Sequence, residues 1–301
     1  MTGPRGAAPA PPPLRSLLFV PAHRDGWAAK AVAAAADGVL LDLQDAVPDA
    51  DKAAARDAVA ALVGAGVGRP VLVRVAPSGA PGHEEDLDAA VRPGLTGVVL
   101  PLVSGPDDVE AVAARITELE RARGMRDGTT VIVPLVETAR AARFAFEVAS
   151  ASPRVAYMGG GTAPDGDIAH ALGFRWTPAG METLFLRSWA LLNARAAGVP
   201  YPLTGIWPVV DDLDGLRAFA EQGRGLGYTG MLAIHPSHVA VINEVFTPTA
   251  DEIARWEGTL DALSGAEGAT RLDGMMIDAA HARTARDALA AAARLGGGVR
   301  Q

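Results

Sequence analysis

The sequence predicts an α/β fold, a (β/α)8 TIM barrel with a C-terminal helical extension. Short runs rich in Val, Ile and Leu alternate with longer Ala-rich stretches of helical period, which is typical of strands and helices that form parallel sheets. Eight such runs are present, and each is nearly all apolar, as in strands buried on both faces. No GxGxxG motif follows the first run, which argues against a dinucleotide-binding sheet.

The apolar runs give the predicted strands, and the Ala-rich stretches between them give the predicted helices. The strands are SLLFVP (16–21), GVLLDL (38–43), PVLVRV (70–75), GVVLPLV (97–103), TVIVPLVE (130–137), RVAYMG (154–159), PLTGIW (202–207) and MLAIHP (231–236). The seven helices lie at about 25–36, 49–64, 83–92, 106–123, 138–150, 179–197 and 212–226. Such regular alternation favours a closed barrel over an open, doubly wound sheet.

The two ends of the chain differ from the repeating pattern. Residues 1–13 form an Ala/Pro-rich segment that we predict to be a disordered leader. After the eighth strand, helices are predicted at about 250–264 and 279–295, joined by the Gly-rich SGAEGATRLDG. We therefore assign 14–245 to the barrel and 246–301 to the extension.

Composition excludes several classes of function. A net charge of −8, with Lys and Arg scattered, argues against nucleic acid as a partner. The absence of cysteine rules out disulfides, thiolate nucleophiles and cysteine-ligated zinc. The first residues lack the apolar core of a signal peptide, and no apolar run is long enough to span a membrane. We expect a cytoplasmic protein that does not bind membranes.

Charged and polar residues cluster at the predicted strand ends. In such barrels the carboxyl ends of the strands form the reactive face, so polar residues there need an explanation other than packing. The residues at the strand ends are Arg15, which precedes the first strand, and His23, Arg24, Asp42, Asp45, Arg74, Glu137, Asp165, Asp167 and His235. Several carboxylates and an arginine at one mouth suit a hard divalent cation with oxygen ligands, most plausibly Mg²⁺.

The carboxylates also have purely structural interpretations. Glu137 could cap the helix that follows it, because carboxylates favour helix N-termini. Asp42 and Asp45 could cap a helix or pair with Lys52 and Arg56. The sequence alone leaves both interpretations open.

A functional role explains Arg74 better than a structural one. It lies within VLVRV, where burial is costly without a carboxylate partner or an anionic ligand. The glycines of MGGGTAPDGD (158–167) could cradle an anion or could simply form a loop. His235 is more typical of a hydrogen-bonded barrel histidine than of a ligand.

Several motifs, in order, resemble the HpcH/HpaI aldolase and citrate lyase beta-subunit superfamily, specifically its CoA-ester lyase branch. The motifs are RSLLFVPAHR (15–24), GVLLDLQDAVPDADKAAAR (38–56), VRVAP (73–77), PLVETARA (134–141), RWTPAGMETLFLRSWALLNARAAGV (175–199) and AIHPSHVAVINEVFTPTADEI (233–253). The resemblance implies a (β/α)8 barrel, usually a trimer or a dimer of trimers. It also implies use of Mg²⁺ to cleave or form a carbon–carbon bond beta to a thioester.

The resemblance also implies roles for individual residues. Glu137, in the LVETA motif, would be the first metal ligand, and Asp167 the second. Arg74 would hold the substrate carboxylate or the developing oxyanion.

Other residues would surround this centre. By the same resemblance, Asp42 and Asp45 would hold water and ligands around the metal. Asp278 would extend from the C-terminal segment into a neighbouring subunit's site as general acid/base. Arg15 and Arg24 are candidates for binding the CoA phosphates at the barrel mouth.

The chain departs from the family's pattern at three places. Gln44 stands where the family usually has Glu, so one negative charge near the metal is missing. Leu102 replaces a usual lysine after the fourth strand. Gly166 replaces the acid that normally precedes the metal-binding aspartate, so Asp165 could take the place of Asp167.

We therefore predict an Mg²⁺-dependent lyase that cleaves or forms a 3-hydroxyacyl-CoA thioester with a second carboxylate, such as citryl-, malyl- or citramalyl-CoA. Its partners would be a CoA thioester and a 2-oxo acid, and it would form a homotrimer or hexamer. The same site could also work as a synthase or thioesterase. The alternatives are a non-catalytic CoA-ester-binding barrel or subunit of a lyase complex, and an aldolase that acts on 2-keto acids without CoA.

Overall fold

The structure is a computed structural model that describes residues 11–160, 162–265 and 268–295. It divides into two compact units, Met1–Asn243 and Glu244–Gln301. Most of the predicted leader, Gly161 of the glycine-rich loop and the last residues of the predicted extension lie outside the described residues. In the described part of the chain, every helix is too short or too polar to cross a membrane.

The first unit is a nearly closed barrel of eight parallel strands, as predicted. The strands are β1 (Ser16–Pro21), β2 (Gly38–Asp42), β3 (Val71–Arg74), β4 (Gly97–Leu100), β5 (Val131–Pro134), β6 (Tyr157–Met158), β7 (Tyr201–Thr204) and β8 (Gly230–Ala233). They are hydrogen-bonded in the order β5-β4-β3-β2-β1-β8-β7-β6. Isolated parallel bridges, Ile132 to Val155 and Leu135 to Gly159, bring the two ends of this order together.

Helices connect the strands, and their apolar faces pack on the barrel. They are α1 (Trp27–Ala33), α2 (Lys52–Ala65), α3 (His83–Ala90), α4 (Pro106–Ala122), α5 (Ala139–Arg143), α6 (Ala145–Ser150), α7 (Asp167–Leu172), α8 (Met181–Ala196) and α9 (Leu213–Leu226). A short 3-10 turn, Asp49–Asp51, precedes α2. The next helix, α10 (Pro236–Phe246), follows β8.

The barrel interior is filled by side chains from all eight strands. Its core includes Leu17, Leu40, Leu72, Val99 and Leu203, each fully buried. Every residue of β2, β4, β5, β7 and β8 is buried, which confirms that the strands are covered on both faces. Burial of this kind is the main favourable contribution to the stability of the fold.

Some strands end earlier than the apolar runs predict. β4 stops at Leu100 rather than at residue 103, and Leu102 has a left-handed backbone with φ of 50°. β5 stops at Pro134 rather than at residue 137. Glu137 therefore lies in the loop after its strand, and such loops build the reactive face of this fold.

The helix predictions also differ from the structure in three places. The predicted helix 138–150 is two helices, α5 and α6, because Phe144 leaves helical geometry at ψ of 32°. Helices α7 and α10 were not predicted, since α7 is short and α10 begins at a proline after the eighth strand.

The described residues of the second unit form the end of α10, two further helices and a hairpin. Helix α11 (Ala250–Ser264) begins with a capping box between Thr249 and Glu252. The segment predicted as a Gly-rich connection contains an antiparallel hairpin, β9 (Thr270–Leu272) and β10 (Met275–Ile277). Helix α12 (Ala279–Arg294) ends the described part, and Asp278 is its N-cap residue.

Candidate active site

A cavity of about 370 Å³ opens at the carboxyl ends of the barrel strands. Residues of β1, β2, β3 and β8 and of the loops after β5, β6 and β7 line it. Among the described residues, the charged groups in its lining are Asp42, Arg74, Glu137 and Asp167. The structure thus brings to one cavity four residues that the sequence placed at separate strand ends.

Arg74 and Asp42 form a two-pronged ion pair at the end of neighbouring strands. In the register of the barrel, Asp42 on β2 lies opposite Arg74 on β3. Arg74 Nε donates to Asp42 Oδ1 at 2.8 Å, and Nη2 donates to Oδ2 at 2.7 Å. Burial by itself lowers the pKa of Arg74, but Asp42 outweighs it and the pKa is raised. The guanidinium therefore stays charged and fixed, with one face 4.8 Å from the centre of the Phe19 ring.

The Asp42 carboxylate is held from its other side by the turn after β2. It accepts the backbone N–H of Gln44 at 3.0 Å and that of Ala46 at 3.4 Å. Asp42 is only 1% exposed, whereas the Asp45 side chain is 69% exposed and lies 3.9 Å from Arg74. Asp42 therefore orients Arg74, while Asp45 adds negative charge at the edge.

The proposed pairing of these aspartates with Lys52 and Arg56 is not found. Lys52 Nζ donates to the carbonyls of Leu43 and Gln44. Arg56 Nε instead binds Asp86 Oδ1 at 2.7 Å. The structure therefore corrects that interpretation, because both cations hold other parts of the fold.

Glu137 lies in the loop after β5 and does not cap α5. Thr138 is the N-cap residue, and its Oγ1 accepts the N–H of Ala141 at 2.9 Å. Glu137 Oε2 accepts a long hydrogen bond, 3.3 Å, from the N–H of Leu102. The left-handed backbone of Leu102 gives this N–H its position.

Its surroundings make Glu137 hard to ionise. Burial raises the pKa of the Glu137 carboxyl to about 6. The N–H of Leu102 and the charge of Arg74 oppose this rise in pKa, and the charges of Asp167 and Asp45 add to it. The carboxylate is thus short of positive partners for a buried group.

Asp167, rather than Asp165, lines the same cavity as Glu137. Asp167 lines the cavity and opens α7, and its charge acts on the pKa of Glu137. Asp165 has a left-handed backbone with φ of 53° and is not part of the described lining. Of the two aspartates, Asp167 is therefore placed to share a ligand with Glu137.

Close backbone packing brings the loop after β6 to the cavity. An added Cβ at Gly205, after β7, would lie 2.7 Å from the carbonyl of Gly160 and 3.0 Å from Thr162 Oγ1. Only glycine permits this approach without displacing the loop that carries Asp167.

The donor set fits a hard divalent cation. The negative charge of Asp167 repels that of Glu137 when both are ionised, and a cation bound by the two carboxylates would relieve that repulsion. Mg²⁺ is commonly held by one or two carboxylates, with water and substrate in the other positions. No group of three or more His, Cys, Asp or Glu suited to a metal occurs in the described part of the chain, so two carboxylates and a ligand would have to suffice.

Arg15 is not near the barrel mouth, which corrects the expectation from sequence. It precedes β1 and therefore lies at the amino-terminal end of the barrel, opposite the cavity. Its Nε donates to Asp37 Oδ2 at 2.8 Å, and its Nη2 donates to Oδ1 at 2.7 Å. Arg15 joins the start of β1 to the residue just before β2, which is a structural role.

The remaining predicted residues have other settings. Arg24 is exposed and lies over the ring of Trp27, which lines the cavity, at 5.9 Å. His235 is exposed, and its Nδ1 lies 2.7 Å from Ser237 Oγ. Asp278 belongs to the second unit, where its Oδ1 lies 2.8 Å from His281 Nδ1. The His281 hydrogen bond is the largest of the effects that lower the pKa of Asp278.

Sequence reasoning missed the apolar part of the lining. Phe19, Trp27, Ile206 and Leu232 all contribute to the cavity. An apolar residue in a barrel strand has the same sequence pattern whether it faces the core or a cavity. Only the ring of Trp27, next to charged residues at the start of a helix, could have been noticed in the sequence.

Comparisons with known proteins show the family to which this chain belongs. The family model for HpcH/HpaI aldolase/citrate lyase matches residues 15–236. The citrate lyase subunit beta-like protein of Deinococcus radiodurans is 38% identical over 89% of this chain and 94% of its own. The L-malyl-CoA/beta-methylmalyl-CoA lyase of Cereibacter sphaeroides is 33% identical over 92% of this chain and 94% of its own.

A solved structure supports the same relationship. CitE from Mycobacterium tuberculosis, in complex with magnesium, acetoacetate and coenzyme A, superposes with a TM-score of 0.73 at 30% identity. The match covers 94% of this chain and 99% of that one. The resemblance drawn from the motifs is confirmed: the chain belongs to the HpcH/HpaI aldolase/citrate lyase family, an enzyme family of aldolases and lyases.

Proposed function

We propose that this chain is an Mg²⁺-dependent lyase that cleaves or forms a carbon–carbon bond in a 3-hydroxyacyl-CoA thioester carrying a second carboxylate. Citryl-, malyl- and citramalyl-CoA are such esters, and their products are acetyl-CoA and a 2-oxo acid; an ester with a methyl group on the carbon next to the thioester would give propionyl-CoA instead. One observation carries this proposal: Arg74, Glu137 and Asp167 line the same cavity at the carboxyl ends of the strands. The C. sphaeroides relative is named a lyase of such esters, which supports it.

Different residues of the chain would hold the metal and stabilise the charge that develops in the reaction. Glu137 and Asp167 would hold Mg²⁺, which when bound polarises the oxygen on the hydroxyl-bearing carbon and fixes the adjacent carboxylate. Arg74, already oriented by Asp42, would offset the negative charge that grows as the bond breaks. A fixed cation in a mostly apolar cavity contributes more than the same cation in water.

The bond changes balance without a further reactant. The hydroxyl gives its proton to a general acid/base, the bond between the hydroxyl-bearing carbon and its neighbour breaks, and the electron pair moves onto the thioester as an enolate. A proton must then reach the enolate carbon. We assign both the uptake of the hydroxyl proton and this delivery to Asp278 of a neighbouring subunit, in a homotrimer or hexamer, because a carboxyl group can take up a proton and release it again.

The CoA part would leave the cavity at the side of Trp27. Arg24 and Lys30 lie 5.9 Å and 5.6 Å from the centre of this ring. Two cations at the mouth suit phosphate groups. Arg24 keeps its predicted role as a candidate for phosphate binding.

Turnover on a panel of CoA esters tests the proposal. Purified protein with Mg²⁺ is expected to release acetyl-CoA from at least one of malyl-, citramalyl- and citryl-CoA. Glu137→Ala is expected to abolish this release, whereas Glu147→Ala, an exposed glutamate on α6, should leave it unchanged. Absence of turnover on the whole panel, together with no Mg²⁺ binding by calorimetry, would favour a non-catalytic CoA-ester-binding protein instead.

Mixing two inactive variants tests the role of Asp278. If the site is shared between subunits, Glu137→Gln and Asp278→Asn subunits should each be inactive alone. After unfolding and refolding together they should regain part of the activity, because some sites receive both intact residues. A mixture as inactive as its components would contradict a shared site.

A further inference from the structure

Helix α8 has its polar and apolar sides reversed relative to an ordinary surface helix. Its middle exposes Phe185 and Leu192, whereas Arg187, which lies between them in sequence, is buried. Helix α4 shows the usual arrangement, with Ile116 buried and Glu118 exposed. Surface helices normally direct their apolar side towards the core. The exposed apolar side of α8 therefore needs an explanation.

The buried Arg187 fixes α8 in this orientation. Its Nε donates to Thr183 Oγ1 at 3.2 Å, and its Nη2 donates to the carbonyl of Gly180 at 3.0 Å. Nη2 also donates to Gln222 Oε1 on α9, and the guanidinium lies 5.0 Å from the centre of the Phe219 ring. A rotation of α8 that buried its apolar side would withdraw the guanidinium from α9. The apolar side therefore faces outward in the folded chain.

The apolar side chains of α8 form one stripe. Met181, Phe185, Trp189 and Leu192 recur every three or four residues and so lie along one side of the helix. The rings of Phe185 and Trp189 stack, with their centres 6.2 Å apart. The stripe runs through most of the length of α8.

Helix α6 widens this stripe. It packs against α8, and Trp189 Nε1 donates to the carbonyl of Ala142, just before α6, at 2.8 Å. Phe146 on α6 is exposed beside this contact. What we call the α8 face consists of Phe146, Met181, Phe185, Trp189 and Leu192.

The middle of α8 presents no charge to solvent. Glu182, near its start, accepts the N–H and the hydroxyl of Thr177 at 2.6 and 2.8 Å. Arg195, near its end, donates to the carbonyl of Gly227 at 3.0 Å. Between these two residues the sequence of α8 contains a single charged residue, the buried Arg187. An uncharged face can lie against an identical face without like-charge repulsion.

The exposed area suits a contact between two copies of this chain. Phe185 is 77% exposed, Met181 65%, Leu192 60% and Phe146 43%. Side chains of this size present on the order of 150–250 Å² when free, so these four leave about 450 Å² accessible on one copy. Two copies in contact would remove about 900 Å² from water through these side chains alone, close to the roughly 1,000 Å² of a specific interface.

We propose that the α8 face is the contact through which two copies of this chain pair about a two-fold axis. Both copies present the same surface in such a contact, which an uncharged apolar face permits. Pairing of this kind joins two trimers into a hexamer, so it selects the hexamer from the two assemblies given above. That selection alone rests on the proposed function. None of the described residues that line the cavity belongs to the α8 face.

The mass of the protein in solution tests the pairing. By light scattering after size exclusion, the native protein is expected to have twice the mass of Phe185→Glu, because the new carboxylate would be buried without a partner. Leu213→Glu, at the exposed start of α9, is the matched control and should keep the native mass. Phe185→Glu should also keep its turnover number, since the cavity is unchanged.

A cross-link locates the contact without weakening it. The chain has no cysteine, so Ser188→Cys, on the same side of α8 as Phe185 and Leu192, carries the only thiol. A two-fold contact brings the two thiols of a pair together, and a short bismaleimide linker should convert most of the protein to covalent dimers. Ala218→Cys, at an exposed position of α9, should remain a single chain on a denaturing gel.

The outcomes separate the pairing from the enzyme function. A native mass equal to that of Phe185→Glu, or no covalent dimer from Ser188→Cys, would overturn the α8 contact and leave the lyase proposal standing. Protein that pairs as expected but turns over no CoA ester would overturn the lyase proposal and leave the contact standing.

Discussion

The two ends of the barrel each bury a glutamate, but only one of these carboxylates is fully satisfied. At the amino-terminal end, Glu120 on α4 accepts two hydrogen bonds from Arg154, at 3.0 and 2.6 Å, and one each from the N–H groups of Thr130 and Gly128. At the carboxyl end, Glu137 accepts a single long one from Leu102. Glu120 is fully buried and Glu137 is partly buried at the cavity, and the two carboxylates differ most in their hydrogen-bond partners.

This difference in partners distinguishes a carboxylate that stabilises the fold from a carboxylate that is available to bind a ligand. A buried charge with complete partners contributes to stability, and its loss leaves the opposite charge unpaired. A buried carboxylate with few partners costs stability and is available for a ligand. The end of the barrel that binds substrate is thus the end where the fold leaves a charge unsatisfied.

The largest expected effect is the loss of turnover in the Glu137→Gln variant. Turnover should fall by about three orders of magnitude or more, because the neutral amide cannot replace a charged metal ligand. The free energy of unfolding, measured by urea titration in EDTA, should not decrease, since the substitution removes a poorly compensated buried charge. A variant that loses several kcal/mol of stability would contradict the comparison.

Glu120→Gln should show the reverse pattern. The free energy of unfolding is expected to fall by about 3 kcal/mol, because Arg154 is left buried without its counter-charge. The folded fraction should keep its turnover number. Glu118→Gln, on the exposed side of the same helix, is the matched control and should change stability by less than about 0.5 kcal/mol.

The pH dependence of the free energy of unfolding should also reveal the ion pair between Glu120 and Arg154. Burial alone would raise the pKa of Glu120, but Arg154 and the N–H groups of Thr130 and Gly128 outweigh it, so the pKa is lowered. The unfolded chain therefore takes up this proton at higher pH than the folded chain does. The stability from this group is present above the usual glutamate pKa and is lost as the pH falls through the lower, folded-state value. Urea midpoints from pH 6 to pH 3 should fall more steeply for the native protein than for Glu120→Gln, and equal slopes would be inconsistent with a lowered pKa.

The smallest expected effects are those of replacing Arg24 and Arg15, which lie at opposite ends of the barrel. Arg24→Ala should raise KM for the CoA ester about five- to ten-fold, with kcat little changed, if Arg24 contacts phosphate at the mouth. Arg15→Ala should leave KM unchanged and lower stability by about 1 kcal/mol, since it removes the ion pair with Asp37. Raised salt should narrow the difference in KM, because exposed charges are screened. Equal KM changes for the two variants would refute this assignment.

Sequence predicted the barrel well because its signal is strong and repeated. Buried parallel strands must be apolar along their whole length, and polar residues at their ends are therefore conspicuous. Arg74, Asp42, Glu137 and Asp167 were found in this way, and the structure brings them to one cavity. The mutual position of strand ends follows from the fold class alone.

The errors have equally physical causes. Arg15 was placed at the mouth because it adjoins a strand, but it precedes that strand and so lies at the other end. The apolar lining of the cavity was missed because hydrophobicity does not report which side chains face a cavity. The partner of Glu137 was missed because it is a main-chain N–H, which every residue except proline carries.

The left-handed turn at Leu102 has a consequence for how this site can change over time. Since the contact with Glu137 comes from the peptide group, mutation of the Leu102 side chain does not remove it. Glycine would adopt the same backbone at less cost, and only proline would delete the donor. The residue at position 102 can therefore vary in evolution without loss of the hydrogen bond to Glu137, provided that the backbone of the loop keeps its path.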